Sequence, residues 1–168
     1  EPPNPFAAAL FLGSPIPTSH SVGDIGPKPD LTQSQQESLD KARGGSLLFL
    51  LGAPGTGKSK VTRELVHELT KDQSVLLCCS TRAALENTSR ELEQDCPALT
   101  LNTISGLIRS HDQRTYDTVI VDEAGMVNLA QVLYLTTLTA QKMIFVGDPI
   151  QLPPISATEN PWNSQNIF

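Results

Sequence analysis

The sequence predicts an α/β fold in which a parallel sheet is covered by helices on both faces. Short, almost wholly apolar runs alternate along the chain with amphipathic stretches, a pattern typical of such sheets because their strands are buried on both sides. The chain has 168 residues, of which 39% are hydrophobic. This length suits one well-buried domain and is too short for two of ordinary size, so we expect a single core.

Four apolar runs are predicted strands, and three amphipathic stretches between them are predicted helices. In the first of these helices Val61, Leu65 and Leu69 are four residues apart, which is a helical spacing. The predicted strands are Leu47–Leu51, Val75–Cys79, Val119–Val121 and Met143–Val146, and the predicted helices are Lys58–Lys71, Ala83–Leu92 and Leu129–Leu138. In parallel sheets ligands bind at the carboxyl ends of the strands, where we look for functional residues.

The first 30 residues differ from the rest in composition. Pro and Gly are dense there, in PPNP, GSPIP and GPKP, so residues 1–30 are expected to be an extended, loop-like arm or linker. Phe6, Leu10 and Phe11 are candidate anchors of this arm on the core. Residues 31–168 are the predicted domain.

Charge and cysteine content exclude some classes of protein. The formal net charge of −6 argues against binding nucleic acid by bulk positive charge, so any such contact must be local or shared with other parts of a protein. Three cysteines, two of them adjacent, form neither a disulfide framework nor a zinc spacing, which indicates a reducing, intracellular compartment, cytoplasmic or nuclear. The apolar run at residues 7–12 is far shorter than the ~20 residues that span a bilayer, so we expect no membrane segment.

A glycine-rich run after the first predicted strand fits the pattern GxxxxGK[ST] and precedes a predicted helix, as the motif requires. Its backbone N–H groups are expected to surround phosphates at a helix N-terminus, with Lys58 at the β and γ phosphates and Ser59 on Mg²⁺. The alternative is a glycine turn with an exposed lysine. The candidate nucleotide-binding residues here are Gly52, Ala53, Pro54, Gly55, Thr56, Gly57, Lys58, Ser59 and Lys60.

Two consecutive carboxylates end the third predicted strand. In this arrangement Asp122 is the candidate ligand of Mg²⁺ and Glu123 the candidate general base that polarises an attacking water. An acidic pair in isolation is more often the solvated start of a helix. Its position after the phosphate loop favours the catalytic interpretation.

Two glutamines complete the candidate site. Gln151 follows the last predicted strand in GDPIQLPPI and would face the γ-phosphate if the strands of the phosphate loop and of Asp122 lie side by side. The alternative for Gln151 is an ordinary proline-rich exit from the strand. Gln35 follows Thr32 by three residues, and this local pattern favours a capping box at a helix start.

As a set, these segments resemble the first RecA-like domain of superfamily one helicases over Leu31–Pro154. GAPGTGKS, VIVDEAG and GDPIQLPPI are similar to ATP-site motifs one, two and three of that family, in the family's order. The acidic motif reads DEAG and not DE-x-Q-D, the form found in the UvrD and Rep branch. In this respect the chain resembles the branch of RecD-like and nonsense-decay-type helicases. The resemblance to this branch implies movement from 5′ to 3′.

The resemblance also implies roles for individual residues. It implies that Gln35 reads the adenine base, a role compatible with a cap, and that Gln151 senses the γ-phosphate. In CSTRAA and LNTIS it implies that Ser80, Thr81 and Thr103 contact a single nucleic-acid strand, DNA or RNA. The alternative, equally compatible with the spacing, is that these hydroxyls cap the following helices.

The function that the resemblance implies is coupling of ATP hydrolysis to strand movement, with ATP and Mg²⁺ as cofactors. Such helicases need a second RecA-like domain with arginine fingers, so we expect an excised or truncated first domain with weak turnover. The alternatives are a nucleotide-dependent binding module and, less favoured because no Arg-rich lid segment follows the core, a small-molecule kinase.

Overall fold

A computed structural model describes residues 4–15, 26, 28–92 and 96–150. Within these ranges five strands form one parallel sheet in the order β1-β5-β4-β2-β3. The strands are β1 Leu47–Leu51, β2 Val75–Cys79, β3 Leu99–Thr103, β4 Tyr116–Asp122 and β5 Thr139–Gly147. The predicted α/β class and all four predicted strands are confirmed.

Helices precede and connect these strands. The three predicted helices are confirmed, with ends that differ by one or two residues from the sequence pattern. The helices are α1 Pro5–Leu12, α2 Gln33–Gly44, α3 Lys58–Leu69, α4 Arg82–Glu91, α5 Ile104–Arg109 and α6 Leu129–Thr137, with a 3₁₀ turn at Ala124–Met126.

The sheet separates two hydrophobic cores, one on each face. In β4, Val119 and Val121 belong to one core and Ile120 to the other, because successive side chains of a strand point to opposite faces. Residues of α1, α5 and α6 contribute to the first core, and residues of α2, α3 and α4 contribute to the second. Helices on both faces of the sheet, as predicted, are therefore confirmed.

The strand order does not meet the condition stated for Gln151. β1 and β4 are not neighbours, because β5 lies between them and pairs with both. Residues 143–146 of β5 are buried and apolar, which suits a central strand. Since all strands are parallel, the carboxyl ends of β1, β5 and β4 still lie at one edge of the sheet.

The prediction of an extended arm is wrong for Pro5–Leu12, which form a helix. Asn4 caps this helix, since its Oδ1 accepts from the backbone N–H groups of Phe6, at 2.9 Å, and Ala7, at 3.3 Å. Pro5 occupies the first turn, where a missing N–H costs nothing. The proline that indicated a loop is thus a helix-start residue.

The predicted anchors of this segment are confirmed where the structure describes them. Phe6 is fully buried in the first core, and Leu10 packs against the same core. The side chain of Phe11 lies outside the described part of the structure. In the described residues, no helix is both long enough and apolar enough to cross a membrane.

Candidate nucleotide-binding site

A cavity of about 420 Å³ opens at the carboxyl ends of β1, β4 and β5. This volume is within the range of small-molecule sites. Three of the predicted segments meet there: the loop after β1, the acidic pair that ends β4, and the turn after β5. Its lining residues are Pro54, Gly55, Gly57, Lys58, Ser59, Ala84, Asn87, Thr88, Asp122, Glu123, Gly147 and Asp148.

The loop after β1 takes a conformation that requires glycine. Gly55 and Gly57 have φ of 79° and 83°, in the left-handed region. A Cβ on Gly57 would also lie 2.3 Å from Nε2 of Gln35. At the start of the loop, the N–H of Gly52 donates to the carbonyl of Gly147 at 3.2 Å, which attaches the loop to the end of β5.

The polar side chains of this loop are partly engaged within it. The Lys58 ammonium donates to the carbonyls of Gly52 and Ala53, at 2.9 Å for the latter, and the Thr56 hydroxyl donates to Ala53 at 2.9 Å. Ser59 is in the first turn of α3 and faces the cavity. The ammonium of Lys60 instead donates to the carbonyl of Asp30.

Asp122 is held at the end of β4 by two hydrogen bonds. Its Oδ1 accepts from the N–H of Glu123 at 2.9 Å, and its Oδ2 accepts from the Thr88 hydroxyl at 3.2 Å. Burial raises the pKa of Asp122, while the two hydrogen bonds and the charge of Lys58 oppose that rise.

Glu123 has an unusual backbone conformation and a perturbed carboxyl group. Its φ of 52° and ψ of 41° are left-handed, a conformation that is uncommon outside glycine and that concentrates at functional sites. Burial and the neighbouring Asp122 charge raise the pKa of Glu123. A raised carboxyl pKa suits a group that accepts a proton near neutral pH.

Gln35 makes the predicted capping box and also contacts the phosphate loop. Its Oε1 accepts from the N–H of Thr32 at 3.0 Å, while the Thr32 hydroxyl accepts from the N–H of Gln35 at 3.4 Å. Its Nε2 donates to the carbonyl of Thr56 at 3.0 Å. Gln35 also lines a smaller cavity, of about 200 Å³, with Gly52, Thr56 and Lys58. The local cap and the position beside the nucleotide loop therefore coexist.

The predicted sensor, Gln151, lies outside the described residues. Asp148, three positions earlier, is 5% exposed, lines the cavity, and accepts from the N–H of Ile150 at 2.9 Å. Sequence reasoning missed Asp148, although its place directly after a buried strand was an available signal. It also missed Ala84, Asn87 and Thr88, which line the cavity only because α4 packs on β2 and β3 and thereby brings Thr88 within hydrogen-bonding distance of Asp122.

The three residues predicted to contact nucleic acid lie together at the carboxyl ends of β2 and β3. Thr81 and Thr103 are helix caps, as the alternative interpretation held: their hydroxyls accept from the N–H groups of Ala84, at 3.1 Å, and Gly106, at 3.0 Å. Ser80 and Thr103 line a cavity of about 410 Å³, here called the β2–β3 cavity. Its other lining residues, which sequence reasoning did not single out, are Arg82, Leu85, Asn102, Ser105 and Arg109.

A parallel sheet with a glycine-rich phosphate loop after β1 and an acidic pair after β4 defines a P-loop nucleotide-binding domain. The family model described as "AAA domain" matches residues 35–157, and the chain belongs to this family. Nucleotide use is therefore established at the level of the family.

Comparison with known proteins gives helicase relatives. The chain is 33% identical over 141 residues to the ATP-dependent RecD2 DNA helicase of Deinococcus radiodurans, covering 76% of the chain and 19% of the relative. It is 27% identical over 150 residues to the ATP-dependent DNA helicase Pif1 of Bdellovibrio bacteriovorus, covering 77% of the chain and 34% of the relative. The chain thus spans about a fifth to a third of these two relatives.

A solved structure shows the same fold. The UvsW helicase of bacteriophage T4 superposes with a TM-score of 0.56 at 11% identity, covering 88% of this chain and 61% of that one. This likeness shows the fold, and the family match and the helicase relatives confirm the resemblance to a RecA-like domain of superfamily one helicases.

Proposed function

We propose that this chain is the ATP-binding domain of a nucleic-acid helicase or translocase and that the whole protein couples ATP hydrolysis to movement along a strand. The observation that carries the proposal is the cavity where the loop of Lys58, the carboxylates of Asp122 and Glu123, and Asp148 converge. A phosphate-binding loop beside an acidic pair is the arrangement that phosphoryl transfer to water requires.

The loop at residues 52–59 is the proposed seat of the phosphates. Gly55 and Gly57 allow its N–H groups to point inward, and the N-terminus of α3 adds positive potential. Lys58 would exchange its contacts with two loop carbonyls for phosphate oxygens. Gln35, with its side-chain amide on the loop, is the proposed adenine contact at the edge of this seat.

The residues present fit a magnesium ion that is coordinated partly by the protein and partly by the phosphates of the nucleotide. Ser59 and Asp122 both line the cavity, and each Asp122 oxygen accepts one hydrogen bond from the described residues and so retains a lone pair for an ion or its water. Among the described residues no group of three or more His, Cys, Asp or Glu side chains is arranged to hold a metal. Mg²⁺ commonly takes only one or two protein carboxylates beside substrate phosphates, so a site of this kind suits it. When bound, the ion would neutralise developing phosphate charge.

Glu123 is the proposed general base. It lines the same cavity as Lys58, and its raised carboxyl pKa favours acceptance of a proton from water. Gln151, after β5, is the proposed sensor of the γ-phosphate.

In the described lining of the cavity Lys58 is the one cation, and an arginine finger from elsewhere is worth about 10³ to 10⁵ in rate. We therefore propose weak turnover by this chain without a second RecA-like domain.

The proposed macromolecular partner is a single strand of nucleic acid, DNA or RNA. Arg82 and Arg109 in the β2–β3 cavity supply local positive charge in a protein of net charge −6, and Ser80 and Thr103 supply hydroxyls. Movement from 5′ to 3′ and an intracellular location remain part of this proposal. Cys78, Cys79 and Cys96 are free thiols, which suits a reducing compartment.

Titration with a fluorescent ATP analogue and Mg²⁺ tests the proposal. Lys58→Ala is expected to abolish binding, because it removes the cation at the phosphates. Lys41→Ala, at an exposed position of α2, is the matched control and is expected to bind like the wild type. Turnover is then measured on the same samples. Wild-type protein that binds no nucleotide, or Lys58→Ala that binds normally, contradicts the proposal.

Two other outcomes point to different functions. Nucleotide-sensitive binding of a protein partner, with no affinity for single strands in the full-length protein, favours a nucleotide-dependent binding module. Transfer of the γ-phosphoryl group to an added nucleoside or sugar favours a kinase.

A further inference from the structure

α4 lies between two cavities and presents a different side to each. Ala84, Asn87 and Thr88, spaced by three and four residues, line the nucleotide cavity. Arg82 and Leu85, three residues apart, line the β2–β3 cavity. At about 100° per residue the centres of these two sets lie roughly 140° apart around the helix, with Leu85 and Thr88 as neighbours where the two sides meet.

Thr88 is the described residue that joins α4 to the acidic pair by a side-chain hydrogen bond. Its hydroxyl donates to Oδ2 of Asp122 at 3.2 Å, across the space between α4 and the end of β4. Oδ1 of the same carboxylate accepts from the N–H of Glu123 at 2.9 Å. The two contacts together fix the plane of the carboxylate.

The surroundings of Thr88 place it at the proposed metal side of the cavity. Thr88, Ser59 and Asp122 line the nucleotide cavity and also a small recess next to it. Thr88 is half-buried, whereas Ser89, the next residue, is exposed and its hydroxyl donates to the carbonyl of Glu86 on its own helix. A hydroxyl turned inward at this point can orient a metal ligand without binding the metal itself.

We propose that Thr88 is the positioning residue that orients the Asp122 carboxylate toward a bound metal, and that α4 thereby couples the metal site to the β2–β3 cavity. The proposal rests on the proposed function, since it takes Asp122 as the metal-side carboxylate. A strand held in the β2–β3 cavity by Arg82 would bias the position of α4, and Thr88 would transmit that bias to Asp122. Coupling of this kind is reciprocal, so metal and nucleotide would also change the affinity for the strand.

The test measures the affinity for a fluorescent ATP analogue with and without Mg²⁺. In the wild type Mg²⁺ is expected to increase this affinity. Thr88→Val keeps the volume but removes the hydroxyl. We expect the Mg²⁺-dependent gain in affinity to be about 10-fold smaller in this variant, as is typical when the hydrogen-bond partner of a metal ligand is removed. The gain is the ratio of the affinities with and without Mg²⁺ in the same variant, and a circular dichroism spectrum like that of the wild type reports that the variant is folded. Thr88→Ala gives a second variant with the same expectation.

Two matched variants separate positioning from packing. Thr88→Ser restores the hydroxyl and is expected to recover the Mg²⁺-dependent gain. Ser89→Ala removes a hydroxyl from the solvent side of the same helix and is expected to leave the gain unchanged. A Thr88→Val protein with the full wild-type gain overturns the positioning role while the proposed function stands. A wild type that binds no nucleotide, or shows no gain with Mg²⁺, contradicts the proposed function and this inference together.

The coupling through α4 is tested in a separate experiment, in which a short oligothymidylate is the probe. In the wild type we expect the oligonucleotide to change the Mg²⁺-dependent gain, and the change to shrink in Thr88→Val and return in Thr88→Ser. A gain that is identical with and without the oligonucleotide in the wild type overturns the coupling through α4.

Discussion

At the scale of single residues, the site combines partly buried carboxylates with few compensating charges. Asp122 and Glu123 both have a raised pKa, chiefly because burial disfavours their charged forms. A carboxyl group with a raised pKa in the folded state binds protons more tightly there than in the unfolded chain. Its charge therefore lowers the free energy of unfolding at neutral pH, and this penalty disappears as the pH falls below the ordinary pKa, which is 3.8 for Asp122 and 4.5 for Glu123.

Asp122→Asn is expected to raise the melting temperature of the domain at pH 7, by a few degrees, because it removes this partly buried charge. The same variant is expected to lose the Mg²⁺-dependent gain in nucleotide affinity. Thermal unfolding without nucleotide, followed by circular dichroism, measures the first effect.

Asp112→Asn is the matched comparison, with the opposite sign. Hydrogen bonds from Arg114 lower the pKa of Asp112 to about 2, so its charge stabilises the fold above about 3.8 and is lost as the pH falls toward 2. We expect Asp112→Asn to lower the melting temperature at pH 7. Equal shifts in the same direction for both variants contradict this account of the Asp122 carboxylate.

At the scale of elements, α2 is fixed at both ends. The capping box of Thr32 and Gln35 holds its start beside the phosphate loop. At its end, the ammonium of Lys142 on β5 donates to the carbonyls of Ala42, at 2.7 Å, and Arg43, at 2.6 Å. Lys142 is only 1% exposed, and burial lowers its pKa to about 8.

The free energy of unfolding is expected to rise between pH 8 and about 10.4 because of Lys142. In this window the unfolded chain retains the proton that the folded chain has released, so stability increases with pH, by up to ~3 kcal/mol. Urea denaturation across this window, comparing the wild type with Lys142→Met, measures the difference that belongs to this residue. Lys41→Met, at an exposed position of α2, serves as the control and should keep the wild-type dependence of the free energy of unfolding on pH. If the free energy of unfolding rises equally with pH in the wild type and in Lys142→Met, the buried ammonium is not the cause of the rise.

Elements with a strong local pattern were predictable, and elements defined by tertiary contacts were not. β2 is buried on both faces and therefore reads as a continuous apolar run. β3 is only half-buried at the sheet edge, so Thr100 and Asn102 interrupt its pattern and the strand was missed. Site residues in the phosphate loop, such as Lys58, could be predicted because they belong to a sequence motif. Thr88 carries no local signal, because its role depends on how α4 packs on β2 and β3, which brings its hydroxyl to Asp122.

At the scale of the whole molecule, the N-terminal helix belongs to the same body as the sheet. Phe6 of α1 is fully buried beside residues of α6 and β5. Asn4 reinforces this contact, since its Nδ2 donates to the carbonyl of Thr136 at 2.8 Å. The Pro and Gly content of this segment hid the helix in the sequence, while the aromatic anchor was visible.

Phe6→Ala is expected to lower the free energy of unfolding by about 3 to 5 kcal/mol, because it leaves a cavity in the first core. Leu12→Ala, at a position of the same helix that is 72% exposed, is the control and is expected to change it by at most about 0.5 kcal/mol. Urea denaturation measures both. Equally small losses in the two variants mean that α1 is not part of the cooperative core.

The central claim is that one nucleotide site is assembled from the carboxyl ends of β1, β4 and β5. The most direct test is a set of ¹H–¹⁵N amide spectra recorded while Mg²⁺ and a non-hydrolysable ATP analogue are added to the wild-type chain. We expect the largest shifts in the loop at residues 52–59, at Asp122 and Glu123, and at Asp148. Shifts concentrated away from these three segments, or none at saturating nucleotide, contradict the claim.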